Sequence, residues 1–142
     1  MKTVQQILSA KPSNIFSVSE NASVLDALQL MMEKNISALL ILEGSLLRGI
    51  FTERDYARKI ILHGKSSAET SLKEVMTADP ITVLPTDSID LCMEIMTERH
   101  IRHLPVMKDN VVSGMVSIGD VVKFIIADQK LTISQLENYI SS

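Results

Sequence analysis

The chain has a single cysteine and no apolar run longer than the five residues 38–42. With Cys92 alone no internal disulfide can form, so a reducing compartment is expected. Five apolar residues fall far short of the ~20 that a membrane helix needs, and the polar residues 2–6 lack the apolar core of a secretory signal. These absences predict a cytoplasmic protein with no membrane partner.

An excess of positive charge is also lacking. The 14 Lys and Arg residues are scattered along the chain and are outnumbered by 17 Asp and Glu, for a net charge of -3. Because duplex binding depends on basic side chains that neutralise phosphates, a nucleic-acid partner is not expected. Hydrophobic residues make up 46% and charged residues 22%, so the 142 residues are expected to fold as a globular domain of ordinary size.

Recognisable catalytic groups are missing as well. Neither of the phosphate-loop patterns Gly-x-x-x-x-Gly-Lys and Gly-x-Gly-x-x-Gly occurs. The histidines His63, His100 and His103 show no metal-ligand spacing, and Cys92 falls on the apolar side of a predicted helix, which favours a core thiol over a nucleophile. Four methionines have the spacing of a helical core rather than of a soft-metal site: Met31, Met32, Met93 and Met96. We therefore expect no catalysis, no metal and no catalytic cofactor.

What the chain does contain is an internal repeat. A shift of 65 positions aligns residues 23–62 with 88–127 without a gap, and a shift of 68 aligns the Thr-x-x-Gln at Thr3 with the Ser-x-x-Glu at Ser71. Each repeat thus opens with a predicted capping box, and the three-residue difference falls at Ser13-Asn14. We predict a first repeat over 1–66 with its N-terminal helix, a second over 67–129 and a C-terminal helix within 130–142.

The spacing of the hydrophobic residues alternates between that of helices and that of strands, in the same order in both repeats. Each is predicted to run helix, strand, helix, strand, strand, helix, an α/β fold in which two small sheets flanked by helices are related by a pseudo-two-fold axis. The middle helix begins at Ser23 or Asp87, and the last one follows Thr52 or Ser117. The predicted strands are 16–18, 38–42 and 47–51 in the first repeat and 81–84, 104–107 and 112–116 in the second, and the extra C-terminal helix is 132–140.

One motif stands after the last strand of each repeat. Residues 49–55 and 114–120 both read Gly-apolar-apolar-Thr/Ser-x-x-Asp. A hydroxyl and a carboxylate three positions apart at a helix start lie where backbone N–H groups are unpaired, and a carboxylate there can accept bonds from two ribose hydroxyls. The same spacing also occurs in an ordinary helix cap. Repetition of the whole string in register favours the binding role.

The paired strings, the strand Arg102-His103-Leu104-Pro105-Val106 and the repeat spacing together resemble a tandem pair of cystathionine β-synthase (CBS) domains, also called a Bateman module, over residues 4–127. This resemblance implies an α/β disc with two pseudo-equivalent clefts, which in such pairs commonly bind AMP, ADP, ATP, NAD or S-adenosylmethionine.

The resemblance also implies roles for individual residues. Asp55 and Asp120 would hold ribose hydroxyls, and Thr52 and Ser117 would contact ribose or phosphate. Thr82 would lie at the edge of the adenine. Further ligand-binding positions would be Arg102, His103, Pro105 and Ile118.

Two arginines of the first repeat are suited to a phosphate on physical grounds. Arg54 and Arg58 lie one helical turn apart, and a guanidinium offers paired donors in a fixed plane. Alternatively, they form a solvated face that pairs with Glu53 or Asp55.

The two repeats differ at these positions. The first has Ser37-Ala38 where the second has Arg102-His103, and the second has Gly119 where the first has Arg54. We therefore expect unequal clefts.

The function expected from the sequence is that of a sensor. It would bind an adenine nucleotide, with AMP as the first expectation and ATP, ADP or NAD as others, and it would act as a homodimer on an effector protein in trans. Residues 131–142 are the candidate contact for the dimer or the effector. Two alternatives stay open: a ligand-free module that scaffolds a partner, and an S-adenosylmethionine sensor.

Overall fold

A computed structural model describes residues 2–12 and 14–141. In chain order its elements are α1 (Val4–Ser9), β1 (Ser17–Val18), α2 (Val24–Lys34), β2 (Ala38–Glu43), β3 (Leu46–Thr52), α3 (Glu53–Asp55, continuing as a π-helical segment Tyr56–Ile61), α4 (Leu72–Val75), β4 (Thr77–Ala78), α5 (Ile89–Arg99), β5 (His103–Lys108), β6 (Val111–Ser117) and α6 (Ile118–Ser141). The predicted α/β fold with two similar halves is confirmed.

The two central helices, α2 and α5, begin and end alike. Ser23 Oγ accepts from the amide of the third helical residue at 3.0 Å, and Ser88 Oγ does the same at the start of α5. Asn35 and His100 end the helices in the left-handed conformation. The predicted start at Asp87 is wrong by one residue, because its carboxylate closes the preceding turn by accepting from Leu84 N at 2.7 Å.

The predicted capping boxes have different outcomes. At α1 the amide of Thr3 donates to Gln6 Oε1 at 2.8 Å. At α4 the Ser71 side chain makes no capping bond within the described part of the chain, so the second box is wrong. The four-residue α4 is instead anchored by backbone, because Leu72 N donates to the carbonyl of Ala22 at 2.9 Å. Of the predicted insertion site, Ser13 lies outside the described residues.

The two sheets are built around matching hairpins. β2 pairs antiparallel with β3, and β5 pairs antiparallel with β6, each with one register shift. β1 joins the first sheet parallel to β2, and β4, which the sequence did not reveal, joins it antiparallel to β3.

The predicted strand at 81–84 is reduced to one bridge. Val83 N donates to the Pro105 carbonyl at 3.0 Å and its carbonyl accepts from Met107 N at 2.9 Å. The ladder ends there because the next donor on this side of the strand would be residue 85, a proline, which has no N–H.

The opening helices are exchanged between the two repeats. α1 packs into the core of the second repeat, where Val4 and Ile7 join Ile89 and Cys92. Conversely, α4 packs into the core of the first repeat with Phe51. Because each core is completed by the opening helix of the other repeat, neither repeat buries its apolar face alone. The chain segments that follow α1 and α4 are thereby carried to the opposite repeat.

The predicted C-terminal helix is not separate. α6 runs unbroken from Ile118 to Ser141 because no Gly or Pro follows Gly119 to end it. Val121 is buried in the second core, whereas residues 129–141 are all exposed. Ser142, the last residue of the predicted contact segment, lies outside the described residues. Among the described helices, none combines the length and the apolar character that crossing a membrane requires.

Candidate functional site

A cleft of about 1250 Å³ lies between the repeats. Its walls are the start of α3 on one side and the end of α5 with the start of β5 on the other, and residues 79–81 lie beside them. Seven of the predicted ligand-binding residues line it: Thr52, Arg54, Asp55, Arg58, Arg102, His103 and Ile118. The other four are not among its lining residues. Thr82 is exposed next to lining residue Ile81, Pro105 is buried in β5, and Ser117 and Asp120 lie together at the start of α6.

The carboxylate of Asp55 is fixed in this cleft by the start of α3. Asp55 is only 9% exposed, and its Oδ2 accepts from Thr52 N at 3.0 Å and from Thr52 Oγ1 at 3.1 Å. Its Oδ1 accepts from Thr77 Oγ1 at 3.2 Å and lies 3.1 Å from Lys59 Nζ. These contacts orient both oxygens. Because Thr77 follows α4, the exchange of the opening helices builds part of this site.

The glycine of each motif allows a close approach. A Cβ atom at Gly49 would lie 2.8 Å from the Thr77 carbonyl oxygen and 2.8 Å from Met76 Sδ, so any side chain there would push β4 away from β3. At Gly114 the Cβ would lie 2.8 Å from a terminal methyl of Leu8, a contact that a rotamer change can relieve. The first glycine therefore holds the β4 segment against Asp55.

The cleft is lined by more positive than negative side chains. Five lining residues are cationic and three are acidic, a formal excess of two positive charges: Arg54, Arg58, Lys59, Arg99 and Arg102 against Glu53, Asp55 and Asp79. Arg54 donates to the His100 carbonyl at the end of α5, where the helix dipole favours a cation. Arg58 and Arg102 are exposed and line the cleft. The excess of positive charge favours an anionic group in this cleft.

His103 lies at the junction of the two halves. Its Nε2 is 3.1 Å from Ser37 Oγ. Around it the backbone is symmetric, because Glu53 N donates to the Ser37 carbonyl at 3.1 Å and Ile118 N donates to the Arg102 carbonyl at 2.8 Å. Burial lowers the pKa of His103, Arg102 and Lys11 lower it further, and Asp120 opposes them. The imidazole is therefore neutral at pH 7.

The lowered pKa of His103 predicts a pH dependence of stability. The unfolded chain takes up a proton at this side chain near its ordinary pKa of about 6.5, before the native state does, so the free energy of unfolding is expected to fall as the pH drops below about 6.5. One group contributes a slope of at most about 1.4 kcal/mol per pH unit. Urea titrations between pH 7.5 and 5.5 should show a smaller slope in His103→Asn, and equal slopes in the two proteins would contradict the assignment.

The second motif carboxylate has a different environment. Asp120 Oδ2 accepts from Ser117 N at 2.9 Å and from Lys11 Nζ at 2.7 Å. Lys11 also donates to the Met115 carbonyl at 3.0 Å. Burial raises the pKa of Asp120, but the bonds from Lys11 and Ser117 outweigh it and the net pKa is lowered. Lys11 was missed in the sequence, although the shift of 68 aligns it with Asp79 of the first cleft.

The thiol considered as a nucleophile is not among the lining residues of this cleft. Cys92 is fully buried, and burial and the nearby Asp87 raise the pKa of its thiol, which suits packing rather than attack. Over residues 2–12 and 14–141, no group of three or more His, Cys, Asp or Glu side chains is placed to hold a metal ion.

Comparison with known proteins gives matches over most of the chain. A family model described as CBS domain matches residues 4–62 and 72–127. The chain is 42% identical over 123 residues to the mitochondrial CBS domain-containing protein CBSX3 of Arabidopsis thaliana, an alignment that covers 83% of this chain. It spans 60% of the length of that plant relative.

Solved structures match the fold closely. A protein with CBS domains from Burkholderia ambifaria MC40-6 superposes with a TM-score of 0.87 at 50% identity, covering 90% of this chain and 96% of that one. The CBS domain pair of protein MJ0100, solved in complex with 5′-methylthioadenosine and S-adenosyl-L-methionine, superposes with a TM-score of 0.78 at 27% identity, covering 90% of this chain and 98% of that one.

Proposed function

The chain belongs to the CBS domain family, and from that premise we propose that it is a regulatory module that binds an adenine nucleotide in the cleft around Asp55. The ribose hydroxyls bind the Asp55 carboxylate, and the phosphate binds the arginines that line the cleft on both walls. AMP is the ligand of first choice, and ADP, ATP and NAD belong to the same class. The module has no catalytic role.

The observation that carries this proposal is the setting of Asp55. Asp55 is only 9% exposed, both of its oxygens are oriented by Thr52, Thr77 and Lys59, and it borders an open cleft instead of the packed core. The cleft's excess of two positive charges matches the phosphate of AMP, which carries about −1.5 to −2 at pH 7. The ribose and phosphate of one nucleotide thus find complementary groups on the two walls.

The same charge balance separates the alternatives. S-Adenosyl-L-methionine, which the MJ0100 pair holds, carries a sulfonium cation and no phosphate, so it is the poorer complement of this cleft. A ligand-free scaffold does not require an open cleft with an oriented carboxylate on one wall and Arg99 and Arg102 on the other. Both alternatives are separated from the proposal by one ligand series.

The test is thermal melting with AMP, ATP, NAD and S-adenosyl-L-methionine in turn. A ligand that binds only the native state stabilises it by about 2.7 kcal/mol at a concentration of 100 times its dissociation constant. AMP is expected to raise the melting temperature and S-adenosyl-L-methionine to raise it less. No shift with any ligand at millimolar concentration would favour the scaffold, and a larger shift with S-adenosyl-L-methionine would favour that ligand.

The chain further acts, in this proposal, as a homodimer that influences an effector protein in trans. The exposed face of α6 carries a heptad pattern with Ile at one core position and Val122, Gln129 and Leu136 at the other. Ile at the first position is typical of two-stranded parallel coiled coils, and Gln129 is one polar interruption of the face. The members of this heptad face are Val122, Ile126, Ile133, Leu136 and Ile140, each between 47% and 81% exposed. A second copy of α6 is its self-complementary partner. The cytoplasm stays the expected location from the cysteine content, while the name of the plant relative assigns that protein to mitochondria.

Placing a charge in the heptad face is expected to dissociate the dimer. Ile133→Glu puts two carboxylates opposite each other in the coiled coil, and we expect at least a tenfold weaker self-association by light scattering after gel filtration. Gln135→Glu, on the outer side of the same helix, is the matched control and should leave the mass unchanged. A dimer that survives Ile133→Glu at the same concentration would show that α6 is not the contact.

A further inference from the structure

The two motif carboxylates accept the same backbone hydrogen bond at the start of their own helices. The lysines that contact them come from different parts of the chain. Asp55 Oδ2 and Asp120 Oδ2 each accept from the backbone amide three residues before, at 3.0 and 2.9 Å. The lysine at Asp55 is Lys59, one turn further along the same helix, and it also donates to the Val75 carbonyl at 2.9 Å. The lysine at Asp120 is Lys11, which lies in the segment after α1, 109 positions earlier in the chain than Asp120.

The origin of Lys11 places its ammonium on the cleft side of the carboxylate. The segment after α4 lines the first cleft through Asp79, Pro80 and Ile81. By the internal repeat, Lys11 is the counterpart of Asp79. In the first cleft the position of Asp79 borders open space. The equivalent position of the second repeat is Lys11, whose ammonium is bonded to Asp120 Oδ2 at 2.7 Å and to the Met115 carbonyl at 3.0 Å.

The surroundings of Asp120 keep only part of the cation set of the first cleft, with Lys123 in place of Arg58 and Lys34 in place of Arg99. Gly119 stands in place of Arg54, Ser37 in place of Arg102 and Ala38 in place of His103. A cavity of about 410 Å³ lies on this side, along Met31 and Ser37, and neither Asp120 nor Lys11 is among its lining residues. This cavity therefore does not reach the carboxylate.

We propose that Lys11 is a built-in plug of the second cleft, whose ammonium takes the place of a ligand at Asp120, so that the chain binds one nucleotide instead of two. The inference rests on the proposed function of the first cleft. Without the amine, the second cleft takes a nucleoside through Asp120. An uncharged nucleoside is the suitable probe, because Gly119 and Ser37 replace Arg54 and Arg102 and leave Lys123, the counterpart of Arg58, as the remaining cation of that set.

The test titrates adenosine by calorimetry into protein whose first cleft is already saturated with AMP. The unmodified chain should take up no adenosine, and Lys11→Met should take up one equivalent per chain. Lys11→Met combined with Asp120→Asn should again take up none. Lys65→Met, at an exposed lysine of the linker between the repeats, is the matched control and should behave as the unmodified chain.

The outcomes separate the plug from the function it rests on. Lys11 is one-third exposed and Asp120 about one-fifth, so water can solvate the carboxylate that Lys11→Met releases, and Lys11→Gln offers a second variant that keeps a polar end. When AMP binds, either of two results overturns the plug: both Lys11 variants take up no adenosine, or the unmodified chain takes it up. In both cases the first site stands. If AMP binds to none of these proteins, the proposed function and the plug both fail.

Discussion

Asp55→Asn is expected to weaken AMP binding about 10- to 100-fold, the loss of one charge-assisted interaction worth about 1.5–3 kcal/mol. Asparagine has nearly the same shape and keeps one oxygen that can accept from Thr52 N, so the start of α3 should be preserved. Its amide nitrogen, however, donates where the ribose needs an acceptor. The measurement is the dissociation constant of AMP by calorimetry at fixed pH and salt.

The control for this substitution is Asp90→Asn. Asp90 is exposed in the first turn of α5 and lies outside the cleft, so the same change of charge should leave AMP affinity within about twofold. The melting temperature of each variant without ligand shows that the fold persists. Unchanged AMP affinity in a folded Asp55→Asn protein would remove the ribose role of this carboxylate.

Gly49→Ala is expected to lower the free energy of unfolding by about 1–3 kcal/mol, the usual cost of forcing extra atoms into a packed site. The new Cβ would lie 2.8 Å from the backbone oxygen of Thr77, which a side-chain rotation cannot relieve. Displacing β4 also moves the Thr77 hydroxyl away from Asp55 Oδ1, so AMP affinity should fall as well. Urea unfolding and calorimetry measure the two effects.

Gly114→Ala provides the internal comparison at the equivalent position of the second repeat. There the added methyl meets only the end of the flexible Leu8 side chain, so we expect a loss below about 1 kcal/mol and no change in AMP affinity. Equal destabilisation of the two variants would show that contact with the β4 backbone is not what requires glycine at position 49.

Local features of this fold were predictable because the residues that determine them are close in sequence. Apolar strand segments separated by short stretches of turn residues predicted both hairpins, and in the second hairpin Asp109 and Asn110 adopt the left-handed conformation that a tight turn requires. Ser23 identified the start of α2 correctly. In the second repeat Asp87 and Ser88 are both good caps, and only the turn at Leu84 decides between them.

Features that depend on distant contacts were not predictable in this way. The sequence could not show which core α1 and α4 join, because both helices have the same apolar spacing. In the structure Val4 packs into the core of the second repeat and Leu72 into the core of the first. β4 has only two residues and therefore no period. The site was predictable in part, because seven of the eleven predicted ligand-binding residues line one cleft, whereas Ser117 and Asp120 were assigned the same role as their counterparts and do not line it. Lys11, which bonds to Asp120, lies outside the aligned motif and was therefore missed.

The measurement that most directly tests the central claim compares AMP with 2′,3′-dideoxy-AMP on the unmodified chain by calorimetry. The two ligands share the adenine and the phosphate and differ only in the hydroxyls that Asp55 is proposed to bind. We expect AMP to bind at least tenfold more tightly, with one equivalent per chain. Equal affinities for the two ligands would contradict recognition of the sugar by this carboxylate.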